Sequence, residues 1–280
     1  MENISQIKDI ILNYFSETIG EDSKTYQTIS ERMQNLQIQV LKNEDFITYY
    51  EERMGKGGMI PSGFYDARYQ KVILKNVNLQ IFRILETVIH EIIHALSHNG
   101  TNKLGLIQYD KGLGRGFNEM ATCYITSKIL GKGYGGSYSQ DFRNVFKMFL
   151  TTMRMDDREL FNIFFQSEDW IIQDMAERFN KYDTTALNHL ISLYDNRTTN
   201  KFDKNLVLEI IGKSAITNNV QNNDEYRDAL CKYCNYFEIP NLREDSFMTI
   251  LQSQVSPNIT SDEKKAQDPS AKNKREIEEI

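Results

Sequence analysis

The sequence predicts an α+β chain: strands and helices mixed up to about residue 135, and helices alone from about residue 140. Three observations carry this expectation. Short candidate strands (Ile38-Gln39-Val40-Leu41, Ile60–Phe64 and Lys71-Val72-Ile73-Leu74) lie between segments of helical period. At about Asn78 the period switches to that of a long apolar helix. From 140 to 255 apolar clusters recur at helical spacing with no strand pattern between them.

Ile7, Ile10, Ile11, Tyr14 and Phe15 place an amphipathic helix in the first 18 residues, and a second helix is expected over 22–36. The run at 38–41 reads as a strand and Glu44–Met54 as a helix, broken by Gly55-Lys56-Gly57-Gly58. Ile60–Phe64 and Lys71–Leu74 form a hairpin in this reading, with Tyr65-Asp66-Ala67-Arg68 between them and Asp66 in the turn. Ile81, Ile84, Leu85, Val88, Ile92 and Leu96 then form one helical stripe, widened by Ile89 and Ile93, so this helix is expected to be nearly buried. Asn99-Gly100 is a stop signal. A further helix runs from about Gly116 to Leu130, and Gly131–Gly136 is a glycine-rich connector. The expected divisions are N-terminal helices over 1–36, a core over 37–135, a helical region over 136–255 and a disordered tail over 256–280, where aromatics are absent and charge is dense.

Composition excludes several function classes. The chain has 280 residues, 33 Lys+Arg against 39 Asp+Glu, and a net charge of −6, which argues against a nucleic-acid partner. No apolar run approaches the ~18 residues of a membrane span. Three cysteines make no disulfide framework and point to a reducing compartment. The first residues lack the basic and apolar regions of a signal peptide, so a cytoplasmic location is expected, with export by another route left open.

The chemistry is concentrated in His90-Glu91-Ile92-Ile93-His94, an H-E-x-x-H sequence on the apolar helix. Residues four apart stand one turn apart on one face, so both imidazoles can reach one metal ion. Glu91 can approach a water at that ion without ligating it. Zinc lowers the pKa of such a water to roughly 7, and a carboxylate can move its proton to a leaving amine. The competing reading is two satisfied histidines at a helix surface. Two imidazoles and a carboxylate on so apolar a helix would, however, cost several kcal/mol if buried without partners.

A catalytic zinc needs a third protein ligand and an open position. The H-E-x-x-H-x-x-G-x-x-H pattern is excluded, because Ser97 and Thr101 stand where Gly and His are required. His98 lies about 12 Å along the axis from His90 at ~1.5 Å per residue, too far to share an ion on a continuous helix. Its expected place is the helix C-terminus, where a protonated imidazole favours the dipole. Glu119, 25 residues after His94 at the start of the next helix, could close a His/His/Glu set from an antiparallel helix. By itself it would read as a first-turn glutamate favoured by the helix dipole.

His90-Glu91-x-x-His94 followed by Asn118-Glu119 resembles the gluzincin zinc metallopeptidases, which include thermolysin-like enzymes and lethal-factor-like toxin peptidases. The resemblance spans about residues 37–130. It implies a zincin-like core: a small mixed sheet whose hairpin carries the edge strand, packed on the H-E-x-x-H helix and the glutamate helix. It also implies one Zn2+ held by His90, His94 and Glu119, Glu91 as general base, and a peptide or protein substrate lying along an edge strand, for which Lys71–Leu74 is the candidate. Two positions depart from the family pattern. Cys123 stands where some members carry an aspartate that orients a zinc histidine, and it reads as a small buried residue rather than a fourth ligand. Gly112 stands where lethal-factor-like members place a tyrosine. Tyr109 is then the first candidate to stabilise the oxyanion, ahead of Tyr134 and Tyr138.

The remaining features are weaker. Cys231-Lys232-Tyr233-Cys234 has redox-motif spacing without a redox context, His189 reads as an ordinary helix histidine, and Trp170 reads as core. The rival functional readings are a non-catalytic zincin-fold protein that binds partners through its helical half, and a peptidase dedicated to one partner protein. The intact Glu91 disfavours the first.

Overall fold

The computed structural model describes residues 2–76, 82–99, 104–107, 112–131, 140–166, 171–197, 199 and 201–239. The elements are α1 (Glu2–Ile19), α2 (Lys24–Asn35), β1 (Gln37–Leu41), α3 (Asn43–Met54), β2 (Gly63–Asp66), β3 (Lys71–Lys75), α4 (Phe82–Ser97) and α5 (Arg115–Leu130). They are followed by α6 (Gln140–Met153), α7 (Asp157–Gln166), α8 (Ile171–Phe179), α9 (Ala186–Asp195), α10 (Lys204–Thr217) and α11 (Asp224–Tyr236). Among the described residues the fold is therefore α+β, with eleven helices and one three-stranded mixed sheet.

The strand order is β1-β3-β2, with β1 parallel and β2 antiparallel to β3. This corrects the expectation for Lys71–Leu74: β3 is the central strand, and the hairpin strand at the edge is β2. The physical reason is visible in β3 itself. Val72, Ile73 and Leu74 are all buried, and a continuous apolar run is the mark of a strand covered on both faces. Val72 and Leu74 join the main core with Val88, Ile89 and Ile92 of α4. Ile73 points the other way, into a smaller cluster with Phe46 of α3 and Phe64 of β2. The sheet thus lies between α3 and α4.

The hairpin also differs in detail. Tyr65 and Asp66 are strand residues rather than turn residues. Asp66 still makes the turn, from the last strand position: its Oδ1 accepts from Arg68 N–H at 3.1 Å, and Oδ2 accepts from the Tyr49 hydroxyl at 2.8 Å. Residues 60–62 stand before the strand.

Ile7, Ile11, Phe15 and Ile19 make the buried face of α1, and the ring of Phe15 meets Phe161 and Phe165 of α7 edge-on. The main hydrophobic cluster runs from Ile7 to Cys234, so N-terminal helices, sheet and helical half share it. His189 is exposed on α9, Cys231 is exposed and Cys234 buried on α11, and neither cysteine is in a disulfide. No helix among the described residues is long and apolar enough to cross a membrane. Trp170, Tyr109, Tyr134, Tyr138, most of the glycine-rich connector and the tail over 256–280 lie outside the described residues.

Candidate metal centre

The apolar stripe of α4 is buried against the sheet and the helices, which turns His90 and His94 inward; each is only 7% exposed. α5 packs against α4 and brings Glu119 to the same point. His90 Nε2 and His94 Nε2 are 3.0 Å apart, Glu119 Oε2 is 3.1 Å from His90 Nε2, and Glu119 Oε1 is 3.0 Å from His94 Nε2. Among the described residues these three form a group whose ligand atoms could share one metal ion. Two ligand atoms at ~2.0–2.1 Å from a tetrahedral zinc stand roughly 3.3 Å apart; the two imidazole nitrogens are near that spacing, and Glu119 turns one carboxylate oxygen to each of them. Two imidazole nitrogens and one carboxylate oxygen are also a donor set suited to zinc.

α5 is held from both ends. The Asp195 carboxylate, at the end of α9, accepts from Gly114 N–H at 2.6 Å and Gly116 N–H at 2.7 Å, so a negative charge meets the helix N-terminus. Farther along, Asp157 accepts from the Tyr124 hydroxyl at 2.8 Å and pairs with Lys128 at 2.7 Å. Gly116 allows the close approach to α9: a Cβ there would stand 2.5 Å from the Tyr194 carbonyl oxygen. Gly116→Ala should therefore cost ~1–3 kcal/mol by overpacking, lowering the melting temperature by roughly 2–4 °C for each kcal/mol. An unchanged thermal melt would show that this junction has slack.

The outer nitrogens of both histidines face α5. His94 Nδ1 lies 3.4 Å from Thr122 Oγ1 and 3.3 Å from Asn118 Nδ2. Thr122 donates its own proton to the Asn118 carbonyl at 2.9 Å, so toward His94 Nδ1 it can accept, whereas the Asn118 amide N–H can only donate. Ligation through Nε2 calls for the Nδ1–H tautomer, for which Thr122 Oγ1 is the available acceptor. Asn118 is itself fixed: its Oδ1 accepts from Leu106 N–H at 2.9 Å, and Gly105, at φ +52°, comes so close that a Cβ there would overlap this oxygen. His90 Nδ1 has Cys123 Sγ at 3.9 Å. Cys123 thus stands behind a candidate ligand, buried as expected.

Glu91 lies beside the triangle on α4, and its Oε2 accepts from Tyr65 N–H of β2 at 2.8 Å. Burial pushes the Glu91 carboxyl above the usual carboxylate range, and Glu119 adds to this against the pull of His90 and His94. Burial opposes ionisation of Glu119 as well, but there His94 and His90 prevail and hold the carboxyl far below its usual range. Burial disfavours charge on His90, yet Cys123 and Glu119 outweigh it and hold the imidazole well above 6.5.

A protonated imidazole cannot ligate, so metal and protons compete. Because His90 keeps its proton above the ordinary histidine range, zinc affinity should go on rising with pH between about pH 6 and pH 8, with protons released on uptake. Calorimetry in buffers of different ionisation heat reads both quantities. A flat affinity across that range would contradict the assignment of His90.

His98 follows α4 rather than ending it with a charge. Its Nδ1 meets the Tyr65 hydroxyl at 2.6 Å. Burial and the nearby Arg32 guanidinium hold its pKa below 6.5. The expected cationic dipole partner is thus replaced by a neutral imidazole hydrogen-bonded to β2.

The structure brings together all four of His90, Glu91, His94 and Glu119. Tyr65, Thr122 and Asn118 were missed as supporting groups. Asn118, Glu119, Thr122 and Cys123 fall at i, i+1, i+4 and i+5, the spacing of one helix face, which was a usable signal for two of them. No protein-family model, no curated protein and no solved structure matches the chain.

Proposed function

We propose that the chain is a zinc-dependent peptidase of gluzincin type, with a zincin-like core over residues 37–135. The observation that carries this reading is the pairing of a His90/His94/Glu119 ligand triangle with a carboxylate, Glu91, anchored to the edge strand β2.

Zinc in such a site supplies Lewis-acid polarisation of a carbonyl and makes water acidic near neutral pH. The chain's own residues do the rest. His90 and His94 would hold the ion through Nε2, with Thr122 Oγ1 as the acceptor for His94 Nδ1–H in that state. Glu119 closes the set from α5. Glu91, with Oε2 held by Tyr65 N–H, takes a proton from the attacking water and passes it to the leaving nitrogen; a carboxyl with a raised pKa suits both halves of that transfer. The outer edge of β2 offers backbone groups along which an extended peptide can lie. Tyr109 is the proposed oxyanion donor.

The test is metal content together with turnover. Protein expressed with zinc should carry about one ion per chain by elemental analysis and should cleave members of a mixed peptide library. Protein that takes up no metal would overturn the reading.

A further inference from the structure

We propose that the cleft beside the C-terminal half of α4 is a subsite for an acidic substrate side chain, with Arg32 as the residue that selects it. The substrate clause rests on the peptidase reading; the anion-binding clause does not.

The cleft has a volume of about 340 Å³ and is lined in part by Arg32, Tyr65, Gln70, Ala95 and His98. Two connections tie it to the metal centre. Glu91 and Ala95, at i and i+4, share one face of α4, and His98 follows directly after its last residue. Tyr65 spans both places: its backbone N–H holds Glu91 at 2.8 Å, and its hydroxyl holds His98 at 2.6 Å. From Glu91 to the end of α4 at Ser97, just before His98, is about 9 Å along the helix. An extended peptide rises ~3.3 Å per residue, so the cleft lies about three residues from the scissile bond.

The lining decides the class of occupant. Arg32 is half-buried and fixed: Nη1 donates to the carbonyls of Leu96, near the end of α4, at 2.5 Å and of Phe165, near the end of α7, at 2.8 Å. Among the described residues its Nε and Nη2 donate to no protein acceptor. The cation is therefore pre-positioned, with donors left over in the planar fork that matches a carboxylate. Glu31, the acidic residue in the lining, is exposed, whereas Arg32 is not. Apart from Tyr65, Leu36 and Ala95 the wall is polar, which disfavours a large apolar side chain.

The test uses the zinc-loaded protein and two soluble probes, glutarate and its neutral isostere glutaramide. Glutarate should shift the NMR signals of the His98 ring and the Arg32 Nε–H saturably, and glutaramide should not. Arg32→Gln should weaken glutarate at least tenfold and Arg32→Lys less. Glutarate bound only at the zinc would be insensitive to Arg32, and that result, or equal binding of glutaramide, would overturn the proposal. The comparison of the two probes in the unmodified protein stands even if Arg32→Gln fails to fold. In the peptide library, substrates should be enriched for Asp or Glu about three residues from the cleaved bond. Arg32→Gln should lower kcat/KM for these at least tenfold, with less than a twofold change for the Asn or Gln versions. Arg32-dependent glutarate binding in a protein that cleaves nothing would support the subsite and remove the peptidase reading. Cleavage with no acidic preference would do the opposite.

Discussion

Glu91→Gln should keep the metal and lose hydrolysis. The substitution preserves the size of the side chain and an oxygen that can accept from Tyr65 N–H, so neither the ligand triangle nor the edge-strand anchor should change. It removes the group that accepts a proton. General acid–base catalysis is worth about 10²–10⁴-fold, and Glu91 is asked to serve in both directions, so kcat should fall at the upper end of that range. KM should change little, because in the proposed mechanism the substrate backbone lies along β2 and not on Glu91. Side-by-side elemental analysis and peptide turnover on wild type and variant decide it. A variant that retains most of its activity would remove Glu91 from the mechanism, and one that loses the metal would recast it as structural.

Glu119→Ala should release the ion. The carboxylate is the one proposed ligand from α5, and without it two imidazoles would remain, short of the three protein ligands a catalytic zinc takes. Loss of affinity should also appear as loss of stability. A ligand at about 1,000 times its Kd stabilises the folded state by about 4.1 kcal/mol. For a domain of this size that is roughly 8–16 °C of melting temperature, at 2–4 °C per kcal/mol. Wild type should therefore show a zinc-dependent upward shift in its melt, reversed by chelator, and Glu119→Ala should show almost none. The removed carboxylate pairs with both histidines in the metal-free state, so the metal-free variant should also melt at a different temperature from metal-free wild type. Unchanged zinc affinity in Glu119→Ala would take the residue out of the ligand set.

Much of this centre was legible in the chain because it is local. His90, Glu91 and His94 occupy one helix, and 3.6 residues per turn by itself puts two imidazoles on one face. The amphipathic faces of α1 and α4 follow from spacing in the same way: Ile7, Ile11 and Phe15, and Val88, Ile92 and Leu96, are buried as their period requires. Glu119 is a different kind of case. Any of 39 acidic residues could in principle approach the pair, and a resemblance of motif, not periodicity, selected this one.

What required the tertiary structure is everything that depends on which elements become neighbours. Lys71–Leu74 reads as a strand from its β-branched residues, but its place at the centre of the sheet depends on β1 arriving in parallel from the far side of α3. That pairing gives the edge to β2 and so puts Tyr65 N–H on Glu91. The approach of α9 to α5, licensed by Gly116, sets where Glu119 stands. Arg32 lies 64 positions from Leu96 and 133 from Phe165, and no periodicity links residues so far apart. A helix face is written in the residues that form it, because backbone geometry repeats along the chain. The partner of that face is chosen by packing across the core, where separation in sequence carries no information about distance.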